Sequence, residues 1–311
     1  MKAVVAIDGS LLLSRDSTSD IQEQREAIGG LVAQLGEMFL HGHEIVVTYG
    51  NSKQVGFVYY RAVVASDIVH TLPLDICGAD TQGATGYMLQ QELANWLLEH
   101  GMQKEVVTVI TQAIVTEPDL ELQPLTKGIG PYFEFEKTQA FRDYFGWEFK
   151  QIPGHGYQRI VPYLPSVQIV EVNSIRYLFE RGVVVICAGG GGIPVYRNGD
   201  GRYRTIEAIT DKAYAAVLLA QELEMETIVF VSPWEKIAMT FDLAPTVGFL
   251  HLSRRDLDIL LTQSPDLEDA MRYRLVASSE YLNRSGKDVW IVSPDQLKLF
   301  PHVVRGVEIT A

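Results

Sequence analysis

Short runs of apolar and β-branched residues recur along this chain, at Ala3–Ile7, Glu44–Thr48, Glu105–Thr111, Val183–Ala188, Thr227–Val231 and Asp288–Val292. Between most of them lie amphipathic helical patterns, at Asp20–Leu40, Gln82–His100, Asn173–Arg181, Asp211–Leu223 and Leu267–Asn283. Continuously apolar strands have no polar face to give to water, so both faces of their sheet must be covered. The alternation therefore predicts an α/β fold with a mainly parallel sheet and helices on both sides. Asp211 before Lys212–Leu223 and Asn173 before Ser174–Arg181 read as helix caps.

Two stretches depart from the alternation. Thr116–Pro165 holds Pro118, Pro124, Pro131, Pro153, Pro162 and Pro165 among mixed aromatic and charged residues. It reads as a small excursion from the sheet, either a lid or a structural insertion. Tyr196–Arg204 contains Asn198-Gly199-Asp200-Gly201, a turn signal for a β-hairpin. One strand, Val183–Cys187, empties into Ala188-Gly189-Gly190-Gly191-Gly192. Glycines cost backbone entropy, so a tight turn under a packed neighbour is one explanation for them. A loop of bare N–H groups that meets an anion is the other, and four glycines after a buried strand favour it.

Composition excludes several classes. A net charge of -13 disfavours nucleic acid and anionic membrane as partners, while a small anion needs only a local positive site. Cys77 and Cys187 lie far apart and fit neither a disulfide framework nor a metal site, so both are expected as buried thiols. Residues 1–7 are too soon broken by Asp8 to form a signal segment, and no stretch approaches a membrane span. The expected compartment is the cytoplasm. A dinucleotide site is disfavoured, because the glycine run lacks the spaced fingerprint and a following ribose acid.

Several segments together resemble the carbamate kinases, members of the amino acid kinase fold. They are Pro73–Gly83 (PLDICGADTQG) with Gly86–Gln91, Leu125–Tyr132 (LTKGIGPY), Arg159-Ile160-Val161-Pro162, the glycine run with Ile193-Pro194, and Asp211-Lys212. The matches span residues 1–225, and their combination is specific where any one piece is weak. The resemblance implies a three-layer αβα sandwich with an open, mainly parallel sheet. Residues 1–225 would form an acceptor-binding half, with a small protruding subdomain at about 116–165. Residues 226–311 would form a nucleotide half. It further implies a homodimer that transfers a phosphoryl group reversibly between Mg-ATP and carbamate, giving carbamoyl phosphate. Gly9, Ser10, Gly50, Asn51 and Gly189, Gly190, Gly191 and Gly192 would line the acceptor and transfer site. Lys127 would reach in from the protruding subdomain, Lys212 would sit at the start of a helix facing the phosphates, and Asp211 beside it would be a third catalytic residue, while the organising aspartate of the family pattern would follow Lys212.

The departures from the family pattern fall on chemistry. Asp8-Gly9-Ser10 stands where a glycine pair and an asparagine are expected, which puts a carboxylate where a phosphate should approach. In Tyr49–Gly56, Ser52-Lys53 replaces a glycine and a proline, and Ala213 replaces a second aspartate after Lys212. The cationic nucleotide motif has no counterpart, and Thr262–Asp269 is acidic instead. Two substitutes are at hand: Lys53 for the missing lysine, and Asp8 as a metal ligand. Two functions stay open on these residues. One is a carbamate-kinase-like phosphotransferase; the other is an inactive homologue that binds a small anion or a protein partner.

Overall fold

The computed structural model describes residues 1–13, 20–116, 126–243, 248–264 and 267–311. Pro118, Pro124 and Leu125 of the excursion, and Pro265 and Asp266 of the acidic stretch, lie outside the described residues.

In chain order, the first elements are β1 (Lys2–Ile7), α1 (Ile21–Leu40), β2 (Glu44–Tyr49), α2 (Ser52–Val64), α3 (Leu74–Glu99), β3 (Val106–Val109) and β4 (Gln112–Val115). The excursion supplies β5 (Thr126–Phe133), α4 (Phe135–Phe145), β6 (Glu148–Ile152) and β7 (Gly156–Pro162). There follow β8 (Ser166–Ile169), α5 (Val172–Glu180), β9 (Val184–Cys187), β10 (Ile193–Arg197), β11 (Tyr203–Thr205) and α6 (Lys212–Glu222). The last are β12 (Thr227–Val231), α7 (Trp234–Phe241), β13 (Gly248–Ser253), α8 (Arg254–Gln263), α9 (Asp269–Ser285), β14 (Val289–Val292) and β15 (Arg305–Thr310).

The main sheet runs β13-β15-β14-β12-β1-β2-β9-β3. Its pairs are parallel except β14 with β15. Along β1 the side chains alternate between two cores. Val4 and Ala6 pack with Phe179 of α5, Leu219 of α6 and Leu275 of α9. Ala3, Val5 and Ile7 pack with Leu35 of α1, Leu93 of α3 and Leu297. Burial on both faces is why the strand runs carry no polar alternation. The expected three-layer αβα architecture is present.

The excursion builds its own antiparallel sheet, β5-β7-β6, over a small aromatic cluster that includes Phe133 and Trp147. The hairpin expected at Tyr196–Arg204 is β10 with β11, and it joins β4 and β8 in a further sheet. Several boundaries differ from the sequence reading. The apolar run at 105–111 ends early, and the chain re-enters a different sheet as β4, parallel to β10. Helix α3 begins at Leu74, well before Gln82. Asn173 is not a cap: α5 starts at Val172 behind Glu171, and the Asn173 side chain instead accepts from Arg176 at 3.1 Å. Residues 49–56 look like a loop in sequence, yet Ser52 starts a helix of 13 residues.

Register decides where the site lies. Ile7 is paired with Tyr49 of β2 and with Val231 of β12. Asp8, Gly50 and Ser232 therefore leave three neighbouring strands at one level, at the carboxyl edge of the sheet. Strand order diverges at β1, and such an edge is where open α/β sheets hold ligands.

Candidate active site

Two glycines at that edge touch. A Cβ on Gly9 would fall 2.5 Å from the Gly50 carbonyl oxygen, so the backbones of β1 and β2 meet with no side chain between them. Beyond Gly50, Asn51 sits at the N-cap of α2 without capping it through its side chain. The first N–H groups of α2 thus have no partner within the helix, and they face the site with the positive end of its dipole. Helix α6 also starts here. Its cap is the expected Asp211, whose Oδ1 accepts from the Ala213 N–H at 2.8 Å.

The glycine run beyond β9 serves packing and site together. Gly190 and Gly191 have φ of 73° and 100°, a region that other residues rarely adopt. A Cβ on Gly190 would meet the Asn51 side chain at 2.1 Å, and one on Gly191 would meet the Asp211 backbone at 2.5 Å. Close packing therefore demands glycine here, and Gly190 also lines the central cavity. Gln82 holds this loop, a role hidden in the Pro73–Gly83 segment. Its Nε2 donates to the Thr111 and Gly189 carbonyls at 3.1 and 3.0 Å, and its Oε1 accepts from the Thr111 N–H at 2.8 Å. Thr210 Oγ1 donates to the Gly192 carbonyl at 2.7 Å.

The cavity so framed measures about 140 Å³. Asp8, Gly9, Ser10, Gly50, Lys53, Lys127, Gly190, Asp211, Lys212 and Lys236 line it. Of the residues expected from sequence, Asn51, Gly189 and Gly192 border a second, smaller recess of about 30 Å³ instead. Gly191 lines neither. Lys127 enters on β5, and its ammonium donates to Asp211 Oδ2. Burial alone would push the Asp211 carboxyl up, but Lys127 and Lys212 outweigh it and hold the group below its usual range. Burial pushes the Lys212 ammonium down to about 8, against the pull of Asp8 and Asp211. Gln54, buried in the same wall, has no protein partner for either amide atom, which leaves its bonds for a small polar guest.

Asp8 is the main surprise. Its Oδ1 accepts from the Ser10 N–H and Oγ, both at 3.0 Å. Its Oδ2 accepts from Ser232 Oγ and Arg274 Nη2, both at 3.2 Å, and Lys236 Nζ lies 3.8 Å away. Burial would raise this carboxyl, but Lys212, Arg274 and Lys236 together hold it well below the usual range. The expected repulsion of a phosphate is therefore offset by protein cations. Arg274 rises from α9, is 1% exposed, and also donates to Ser232 Oγ at 2.7 Å. Sequence reading passed over Arg274, Ser232 and Lys236. One signal was available: a carboxylate at the end of a buried strand must find a cation. Which cation it finds depends on how α7 and α9 pack, and no local pattern states that.

The donor set does not fit a resident magnesium ion. Both Asp8 oxygens and both Asp211 oxygens already have protein donors. Among the described residues no group of three His, Cys, Asp or Glu side chains could hold a metal. The cations do fit phosphate oxygens, which need point charges and N–H donors.

Other sequence candidates fall outside the cavity. The Arg159 guanidinium is sandwiched between Tyr59 and Trp147, at 4.1 and 4.2 Å from their ring centres, and ties β7 to α2. His155 stacks on Tyr132. Cys77 and Cys187 are buried free thiols, and burial pushes both up. Among the described residues no helix is long and apolar enough to cross a membrane.

A model of the amino acid kinase family matches residues 1–293. The carbamate kinase-like protein YahI of Escherichia coli is 34% identical over 97% of this chain and 96% of its own. A carbamate kinase of Pyrococcus horikoshii is 30% identical, over 92% and 91%. Among solved structures, a protein of Aeropyrum pernix superposes with a TM-score of 0.90 at 25% identity, over 100% of this chain and 99% of that one. A carbamate kinase of Giardia lamblia superposes at 0.88 and 23% identity, over 99% and 98%.

Proposed function

The chain belongs to the amino acid kinase family, on its carbamate kinase branch, and from that premise we propose reversible phosphoryl transfer between ATP and carbamate. The coarser statement, a carbamate-kinase-like phosphotransferase, follows from the near-full-length relatives. The finer one is carried by a single observation: Lys53, Lys127, Lys212 and Lys236 surround one cavity at the meeting point of two helix N-termini.

Phosphoryl transfer asks a protein chiefly to align two ligands and to neutralise charge on the migrating group. In the forward direction a carbamate oxygen attacks the terminal phosphorus. The bond from that phosphorus to the bridging oxygen breaks, and ADP leaves with the electron pair. Lys127 and Lys212 are suited to the equatorial oxygens of the group in flight. Asp211 fixes Lys127 in place and caps α6, so one carboxylate orients two parts of the site. Gly9 and Gly190 let the backbone approach without a side chain between, while Gln54 stands in the cavity wall and Asn51 borders the smaller recess beside it. A metal that arrives on the nucleotide needs only phosphate and water ligands, and no step is assigned to it. A homodimer and a cytoplasmic location belong to the same proposal.

An inactive homologue is favoured by Ala213 and by the acidic stretch at 262–269. The test is ATP formation from carbamoyl phosphate and ADP by the purified protein. ATP that appears with the wild type and falls at least about 100-fold in Lys127→Ala supports the transferase. A folded protein that forms no ATP establishes the inactive reading.

A further inference from the structure

The stretch at 262–269, TQSPDLED, contains no lysine or arginine, so the phosphates of a donor nucleotide find no cation there. The cavities indicate where one is supplied. Beside the 140 Å³ transfer cavity lies a groove of about 630 Å³, with apolar walls that include Leu11, Leu13, Trp234 and Pro294, and with the carboxylates Glu235 and Asp295, neither of which lines the cavity. That lining suits a base and sugar, and the cavity with Lys127 and Lys212 suits the group being transferred. The phosphates between them must cross the junction. Ser10, Lys53 and Lys236 line both spaces, and so form that junction.

We propose that Lys236, on α7, is the cation that binds the donor phosphates, and that Arg274 is a positioning residue that keeps it available. The proposal rests on the nucleotide-dependent reading above. Lys236 is loosely engaged: its ammonium is 3.8 Å from Asp8 and 3.5 Å from Glu268, and its side chain is 32% exposed. Partly exposed pairs of this kind are weak, and a polyphosphate with several charges displaces them. Lys212, in contrast, is buried beneath the cavity, and Lys127 is held by Asp211.

Arg274 explains why Lys236 stays loose. Its guanidinium is 2% exposed, so its charge cannot swing away from Asp8. With Arg274 and Ser232 on Asp8 Oδ2, that oxygen has little need of Lys236. Without Arg274, the buried carboxylate would draw Lys236 inward and repel the phosphates. Residues 262–269 offer no cation and Glu268 stands at the N-cap of α9, so the positive charge at this junction comes from α7 instead.

The test is calorimetric titration with ADP, alongside steady-state ATP formation from carbamoyl phosphate. Lys236→Ala should raise the ADP Kd at least about tenfold, with the KM for carbamoyl phosphate within about twofold of wild type. Inhibition by adenosine, which has no phosphate, should not change. Arg274→Met should weaken ADP binding to a similar extent. Adding Asp8→Gly to it should restore binding, which a merely structural arginine would not predict. If Arg274→Met does not fold, the double variant and Lys236→Ala still decide. Wild-type ADP affinity in Lys236→Ala overturns the proposal while leaving phosphotransfer intact. A wild-type protein that binds no ADP and forms no ATP overturns both.

Discussion

At the scale of single residues the site turns on two buried charges, Asp8 and Lys212. Asp8 was legible as an anomaly, since a carboxylate at the end of an apolar strand needs a partner; Arg274 was not, since its sequence context, MRYRL, reads as any helix. Arg274→Met removes one of the three cations that hold that carboxylate, leaving Lys212 and Lys236, and we expect a loss of up to about 3 kcal/mol in urea unfolding. The loss should shrink sharply in an Asp8→Gly background, where no charge remains to be matched. Lys212 sets a pH limit. Its ammonium is displaced from 10.5 to about 8, so the site loses this charge as pH rises above about 8, and turnover should fall there. Stability moves the other way. Between about 8 and 10.5 the unfolded chain binds more protons than the folded one at this group, so its contribution to stability rises with pH. A pH–rate profile and a pH series of melting curves check the two trends, and Lys212→Arg should shift the fall in rate to higher pH.

Whole elements were more legible than their ends. Strands β1, β2, β9, β12 and β14 are continuous apolar runs, and period alone locates them. Helix α2 escaped although Asn51 is a favoured N-cap residue type, because its side chain does not cap and no acidic residue follows in the first turn. Strands β13 and β15 escaped because they are not continuous apolar runs: His251 and Glu308 interrupt them, and pair with each other at 2.7 Å across the two strands. The joints between elements were hidden as well. Gln82 connects α3 to Thr111 and Gly189, and this is a tertiary fact inside a helical stretch. Gln82→Leu leaves the buried Thr111 N–H unpaired and removes one donor each from the Thr111 and Gly189 carbonyls, which keep the N–H groups of Ile193 and Gly192, at a cost of about 1–3 kcal/mol. Faster amide exchange across 188–192, together with a weaker carbamoyl phosphate KM, is the expected signature.

At the scale of the molecule the sheet does not respect the boundary drawn at residue 225. β1 has β2 on one side and β12 on the other, and both cores draw side chains from before and after that boundary. A fragment of residues 1–225 would expose the β12 edge of β1 along with the apolar surface that Phe230, Leu275 and Ile291 cover. We expect it to be insoluble or molten, with broad amide signals, and co-expression with 226–311 to restore a folded complex. The sheet is thus one body across that boundary, and its two sides do not fold apart.

That sharing makes β1 a ruler with two phases. Val4 and Ala6 answer to one core, Ala3, Val5 and Ile7 to the other, and Asp8 follows in step. A deletion of one residue within 2–7 would exchange the two faces and turn the carboxylate away from Arg274. Side chains at this edge of the sheet can thus be exchanged without disturbing the register of the two cores. The length of the strand beneath it cannot change in the same way: the edge is open to substitution and closed to insertion.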